Sequence, residues 1–455
     1  MRRQQGLIQD FTRGSIPGQL LTFAAPLFFS NLLQVAYNAA DMVIVGQKLG
    51  ESGLSAVSIG GDIAHFLTFF AMGFSNAAQI LISQYVGAGK RDRVGRFVAT
   101  AFSFLLSCAL LISCACLLLR RPILRAMHTP DAAFEGALAY STISALGLVF
   151  IYGYNVSSAV LRGMGDSRHP FLFVSVAAGM NIALDLLFVW GLNLGCSGAA
   201  LATVLSQGLS FLLCLKFLHG RRRELVLDFA PKAFFAPDKA MCASLIKLGL
   251  PMAIKSASLQ FSKLFVSSWI NSYGVSVSAV AGIAGKLNSI SNLMAKAFNT
   301  AGASMIGQNI GAKKYERVPK IMGSTLCITL CIAAVMSAVI MTFPKQVFGI
   351  FTSDPSVMKV ALEYCPIAVL VFFGSACRAP ANALINGSGN HRINFVTAIL
   401  DGIIMRIGLS LLLGLGLGMG YMGFWLGKAI AGFTPMLIGV GFYLSGRWKK
   451  RSSIV

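Results

Sequence analysis

SQYVGAGKRDRVGRFV, residues 83–98, returns as GQNIGAKKYERVPKIM at residues 307–322. In both copies an apolar stretch runs into a small-residue loop and a basic cluster. RGMGDSR (162–168) and NGSGNHR (386–392) form a second pair at the same separation of 224 residues, and Pro26 and Pro251 a third at 225. One nearly constant offset across separate motifs marks an internal duplication.

The material between these motifs is apolar. Of 455 residues, 56% are hydrophobic and only 12% are charged, about half the charged share of a soluble domain. A membrane-spanning helix needs about 20 such residues. Twelve segments qualify: 16–46, 54–86, 94–119, 132–160, 169–191, 195–218, 242–272, 275–310, 318–343, 355–385, 392–413 and 419–445. Each half of the duplication holds six, so both halves start on the same side of the membrane. Parallel repeats of this kind enclose a site at their interface and expose it alternately. The expected fold is an all-α integral membrane protein. Its twelve transmembrane helices should form two six-helix lobes related by a pseudo-two-fold axis along the membrane normal. The lobes are expected at 1–218 and 242–455, joined by a polar cytoplasmic linker at 219–241. Met1–Asp10 is polar, and the first apolar run reads as a full span rather than a cleavable leader.

The formal net charge is +22, but its placement speaks against nucleic acid. The basic clusters Lys90–Arg96, Arg221–Arg223, Lys313–Lys320 and Arg447–Arg451 are short runs between or beside apolar segments. About 23 Lys and Arg fall on one side and about six on the other, which places both termini in the cytoplasm. Ten cysteines lie scattered, nearly all in apolar segments, with no disulfide framework and no zinc spacing. The glycine run Gly414–Gly423 joins two spans and follows no strand, so its Gly-x-Gly-x-x-Gly is a hairpin and not a dinucleotide turn. No phosphate-binding loop or hydrolase elbow is present. An enzyme is therefore disfavoured, and no cofactor is expected.

Polar residues inside the spans carry the chemistry. The fifth span, HPFLFVSVAAGMNIALDLLFVWGLNLG (His169–Gly195), holds Asn181 and Asp185 one turn apart on one face. A carboxylate at that depth costs at least about 2.5–3.5 kcal/mol unless it faces protein or water. Gln34, Tyr37 and Asp41 share a face of the first span. Two carboxyl groups brought together in low dielectric repel, so one takes a proton or a cation. Pro26 removes a backbone hydrogen bond and provides a helix bend for that change to act on. Asp62 and His65, one turn apart on the second span, read either as a proton relay or as a hydrated pair.

With these motifs in view, the chain resembles the multidrug and toxic compound extrusion family over essentially its whole length. Within that family it is most similar to the prokaryotic, DinF-like branch with its cation site in the N-terminal lobe. The resemblance implies a proton or Na⁺ site at Asp41, Asn181, Asp185 and Thr203. It also implies a substrate cavity lined by Gln34, Tyr37, Asn155 and Ser158, with Pro26 as the bend. Ser158 stands where an amide is expected. The other branch places acids on the seventh and tenth spans, where this chain has Lys255, Lys263 and Arg378.

The halves differ in sign. The N-half spans hold Asp41, Asp62 and Asp185. The C-half spans hold Lys255, Lys263, Lys286, Lys296, Arg378, Arg406 and Lys428, with Asp401 as the one deep acid, five residues from Arg406. Lys286 stands at the repeat position of Asp62, and Leu409 at that of Asp185 by the offset of 224. Lys255 and Arg378 join the candidate cavity residues, and an acidic wall facing a basic wall suits anionic or zwitterionic cargo. The expected function is a secondary antiporter exporting organic solutes or drugs against H⁺ or Na⁺. The expected partners are a small organic substrate and membrane lipid, with a monomeric assembly. A lipid-linked precursor flippase and an exporter of anionic metabolites are the alternatives.

Overall fold

The computed structural model describes residues 8–222 and 237–449. Arg223, most of the 219–241 linker and the basic residues beyond Lys449 lie outside the described residues. Those described form helices and turns only.

The helices follow the apolar runs, and glycine and proline set their breaks. Helix α1 (Ile16–Gly87) is a pair of spans joined at Gly50, whose φ of +65° and ψ of −158° only glycine adopts cheaply. Helix α2 (Arg91–Ala126) follows. Helices α3 (Asp131–Leu146) and α4 (Leu148–Gly163) are bent by 48° to each other. At the bend, a Cβ on Gly147 would lie 2.3 Å from Val204, so the turn is packed too closely for a side chain. Helix α5 (Arg168–Asp185) ends in a π turn, Leu186–Gly191, and α6 (Gly195–Gly220) completes the first half.

The second half runs α7 (Lys239–Asn271), α8 (Val275–Gly311), α9 (Arg317–Thr342), the short α10 (Pro344–Gly349) and α11 (Pro355–Gly387). Helix α12 (His391–Ile399) passes through a π turn, Leu400–Met405, into α13 (Arg406–Leu411) and a second π turn, Leu412–Gly416. Helices α14 (Gly420–Ala431) and α15 (Thr434–Leu444) close the chain. Counting α1 as two spans and each bent or interrupted pair as one, the described residues supply the twelve expected segments.

The chain forms two compact units, but neither begins at the linker. One takes in Phe29–Ala253, and the other Asp10–Phe28 together with the chain from Ile254 onward. The polypeptide therefore changes unit just after Pro26 and again just after Pro251. In the second unit, Leu20, Phe23 and Leu27 of α1 pack with Met305, Ile306 and Leu384. The segment before α1 is tied there as well. Phe11 N donates to Gln308 Oε1 at 2.9 Å, Asn309 Nδ2 donates to Phe11 O at 3.1 Å, and Arg317 Nη2 donates to Gly14 O at 3.1 Å. In the first unit, the start of α7 is fixed equivalently. Asp238 pairs with Arg96 at 3.3 Å, and a Cβ on Gly73 would lie 2.6 Å from the Ala253 backbone.

Packing contacts define the repeat more sharply than sequence identity does. A Cβ on Gly163 would lie 2.8 Å from Gln79 O and 2.9 Å from Ile82. On Gly387 it would lie 2.7 Å from Ala303 O and 2.9 Å from Ile306, every partner shifted by 224. The caps of α5 and α12 keep that offset: Asp166 Oδ1 accepts from His169 N, and Asn390 Oδ1 from Ile393 N. Beyond them the offset is 225. Leu194 N donates to Phe188 O and Met419 N to Leu413 O. Gly198 packs on Phe188 as Gly423 packs on Leu413. One residue has thus been added between Ile393 and Leu412. The π turn Leu400–Met405 is the feature there without a counterpart in α5, and a π turn is what a single inserted residue makes of an α-helix. The counterpart of Asp185 is therefore Ser410 and not Leu409.

These close approaches are testable. Gly387→Ala should overpack α11 on α8 at a cost of about 1–3 kcal/mol, lowering the apparent Tm of the purified protein. Gly408→Ala, where a Cβ meets nothing within 4 Å, should not lower it. Asp238, at the start of α7, accepts from Met241 N and Ala240 N beside Arg96, and its carboxyl is held below the usual range. A depressed acid stabilises above its unfolded pKa and loses that contribution as pH falls through the folded value. Asp238→Asn should lower Tm at neutral pH, with the difference closing below about pH 4.

Candidate functional site

Asp41 of α1 and Asp185 of α5 come together in the first unit. Asp185 is 0% exposed, Asn181 2% and Asp41 8%. The two carboxyl groups lie close enough to interact. Both oxygens of Asp185, one of Asp41 and both polar atoms of the Asn181 side chain have no hydrogen-bond partner among the described atoms. No ion pair to either carboxylate occurs among the described residues. A buried carboxylate left in that state is strongly unfavourable. In general, a proton or a small cation taken up between two such carboxyl groups removes that cost. Asp185 also borders the π turn Leu186–Gly191, which loosens the helix ladder beside it.

Neutral donors surround the pair. The Tyr140 hydroxyl of α3 hydrogen-bonds Thr203 of α6 and faces both carboxyl groups. Gln207 Nε2 donates to the Tyr37 hydroxyl at 3.4 Å. Tyr37, Ala177, Asn181, Thr203, Ser206 and Gln207 bound a small cavity. Asp41, Asn181, Asp185 and Thr203 thus offer only oxygen and amide groups, a donor set that fits a hard cation such as Na⁺ as well as a proton. Groups of three or more His, Cys, Asp and Glu suited to a transition metal do not occur among the described residues.

Tyr140 and Gln207 were not legible as site residues from one helix at a time. Gln207 lies one turn after Thr203, on the same face. Tyr140 has Tyr364 at its repeat position, and Tyr364 accepts from Asn288 Nδ2 at 2.8 Å. No hydrogen bond or ion pair recorded among the described residues joins the remaining candidates to the acid pair. Asn155 donates to Ile151 O at 2.8 Å. Ser158 is 1% exposed and accepts from Arg162, which also donates to Gln79 Oε1 at 2.9 Å. Gln34 is half-buried on α1, and Asp62 and His65 are exposed. Lys255 and Arg378 belong to the second unit, where Lys255 Nζ donates to Asn382 Oδ1 and Arg378 Nη2 to Asn292 Oδ1, each at 2.6 Å.

The MatE family model matches residues 26–187 and again 251–411, once per repeat and from the two prolines onward. The chain belongs to the MatE family. It is 29% identical to a probable multidrug resistance protein of Bacillus subtilis, YpnP, over 97% of both chains. It is 24% identical to a probable multidrug resistance protein, NorM, of Thermotoga maritima, over 95% of this chain and 93% of the relative. Among solved structures, an outward-facing multidrug resistance MATE family transporter of the MOP superfamily aligns with a TM-score of 0.89 at 22% identity, covering 99% of this chain and 100% of that one. This MatE chain is a multi-pass membrane transporter of the multidrug efflux family and not an enzyme.

The acid pair has a direct spectroscopic signature. In sodium-free buffer at neutral pH, infrared spectra of the purified protein should contain a protonated carboxyl band that is missing from Asp185→Asn. A spectrum unchanged by that substitution would show that Asp185 carries no proton.

Proposed function

We propose that the protein is a secondary antiporter that exports organic solutes from the cytoplasm in exchange for H⁺ or Na⁺. The observation that carries this reading is the buried Asp41–Asp185 pair, whose oxygens have no counter-ion among the described residues. A group of this kind binds a monovalent cation reversibly, and taking one up removes a net charge from a low-dielectric site. Asn181 and Thr203 complete the donor set, and the Tyr140 hydroxyl lies against Thr203 beside it. Pro26 lies on the helix that carries Asp41, so the state of the pair can act on a helix already short of one backbone hydrogen bond.

Solute would bind against Gln34, Tyr37, Asn155 and Ser158, with both termini in the cytoplasm and the monomer as the working unit. One elementary charge moving through 100 mV releases about 2.3 kcal/mol, enough to sustain a sizeable solute gradient.

Export in proteoliposomes, with proton and sodium gradients imposed separately, tests this reading. Ethidium efflux should follow one of the two gradients. Asp185→Asn should elute from a sizing column as wild type does and lose gradient-driven export by about tenfold or more. Export at the wild-type rate by that variant would sink the coupling role of the pair.

A further inference from the structure

The second unit repeats the architecture of the cation site with its charge reversed. Past the extra residue in the π turn Leu400–Met405, positions correspond at 225. Asn181 is then matched by Arg406, Thr203 by Lys428 and Asp185 by Ser410, while Asp41, which lies before that turn, is matched by an apolar residue at either offset, Phe265 or Val266. Two of the oxygen donors proposed for a cation have become cations, and both acids have become uncharged. Tyr140, which faces the acids in the first unit, is retained as Tyr364.

The reversal is concentrated in one place. Arg406 Nη2 lies 3.1 Å from Asp401 Oδ1, with the side chains 13% and 0% exposed. Their contact is ionic and poorly aligned: Arg406 Nε and Nη2 and both Asp401 oxygens have no hydrogen-bond partner of good geometry. Lys255 and Arg378 each interact electrostatically with Arg406 and Asp401, and Lys428 with Arg406. The groups actually bonded to Lys255 and Arg378 are neutral: an amide oxygen at 2.6 Å for each, and the Ser375 hydroxyl at 3.4 Å for Arg378. Among the described residues Asp401 is thus the one carboxylate set against Arg406, Lys255 and Arg378, while Lys428 faces two further cations, Arg406 and Lys263. An amide oxygen satisfies a donor but cancels no charge, and charged groups at this depth need a counter-charge or water.

The π turn is a second, independent sign. It is the residue insertion that separates the two halves, it contains Asp401, and it delivers Arg406 to the Asn181 position. Helix α7 holds it closely: Ser262 Oγ donates to Gly402 O, and a Cβ on Gly402 would lie 2.6 Å from Ser258. Single-turn π insertions recur at functional sites because they redirect side chains out of the α-helical register.

We propose that the second unit holds an anion site, formed by Arg406, Lys428, Lys255 and Arg378 around the Asp401 turn, which takes the carboxylate or phosphate group of an exported organic anion. The proposal rests on the export reading and names its substrate class. Arg406 supplies a fixed planar donor set, and the lysines supply point charges that adapt to the bound group.

The test compares efflux of carboxyfluorescein, an organic anion, with efflux of ethidium, a cation, from the same proteoliposomes. Wild type should export both. In Lys428→Met the ratio of carboxyfluorescein to ethidium export should fall about tenfold or more, and Lys428→Arg should restore it. Arg406→Gln should act in the same direction, with elution on a sizing column confirming that each variant is folded. An unchanged ratio, or a wild type that exports ethidium and ignores carboxyfluorescein, overturns the anion site while leaving antiport standing. Failure to export either dye under any gradient overturns the antiport reading itself. Replacing chloride by methanesulfonate, which carries neither a carboxylate nor a phosphate, separates the sources of the anion. If that replacement leaves carboxyfluorescein export intact, the site serves the solute. If export of both dyes collapses without chloride and recovers on its return, the site holds an inorganic ion and the substrate assignment is wrong.

Discussion

A carboxylate that no cation neutralises cannot stay charged and dry inside a helical bundle. Asp185, fully buried with both oxygens unpartnered, sets that condition for this MatE chain. Its surroundings follow from it. Asp41 comes from α1, Asn181 from the same face of α5, and Thr203 from α6 with the Tyr140 hydroxyl against it. Each donor is neutral or acidic. Among the described residues the site thus holds oxygen and amide groups and no positive charge of its own.

Helices α1 and α7, with Pro26 and Pro251, each divide between the two units. Helix α1 contributes Leu20, Phe23 and Leu27 to the core of one compact unit and Asp41 to the site of the other. Helix α7 divides in the same way after Pro251. A helix lacking one internal hydrogen bond at the crossover bends more easily there than elsewhere. The weak points of the two helices thus coincide with the places where the chain changes unit.

Duplication made the two halves alike in backbone and left their polar residues free to diverge. The same glycine contacts recur at 163 and 387, and at 198 and 423. Over this common frame one half collected carboxylates and the other collected cations. A single inserted residue at the Leu400–Met405 turn shifted the register so that Arg406 and Lys428 occupy the positions of Asn181 and Thr203.

The sequence alone determined the class, the duplication, the twelve spans and the acid pair. Apolar length, loop chemistry and rare intramembrane charge are local signals that survive without coordinates. Tertiary packing decided the rest. That Asp185 answers to Ser410 was hidden because a one-residue insertion inside an apolar helix leaves no mark in hydropathy, whereas paired glycine contacts expose it. That residues 10–28 belong with the second unit was hidden because helix packing partners are chosen by shape. Tyr140 and Gln207 entered the site for the same reason: which face of a helix meets which neighbour is fixed only when the helices are packed.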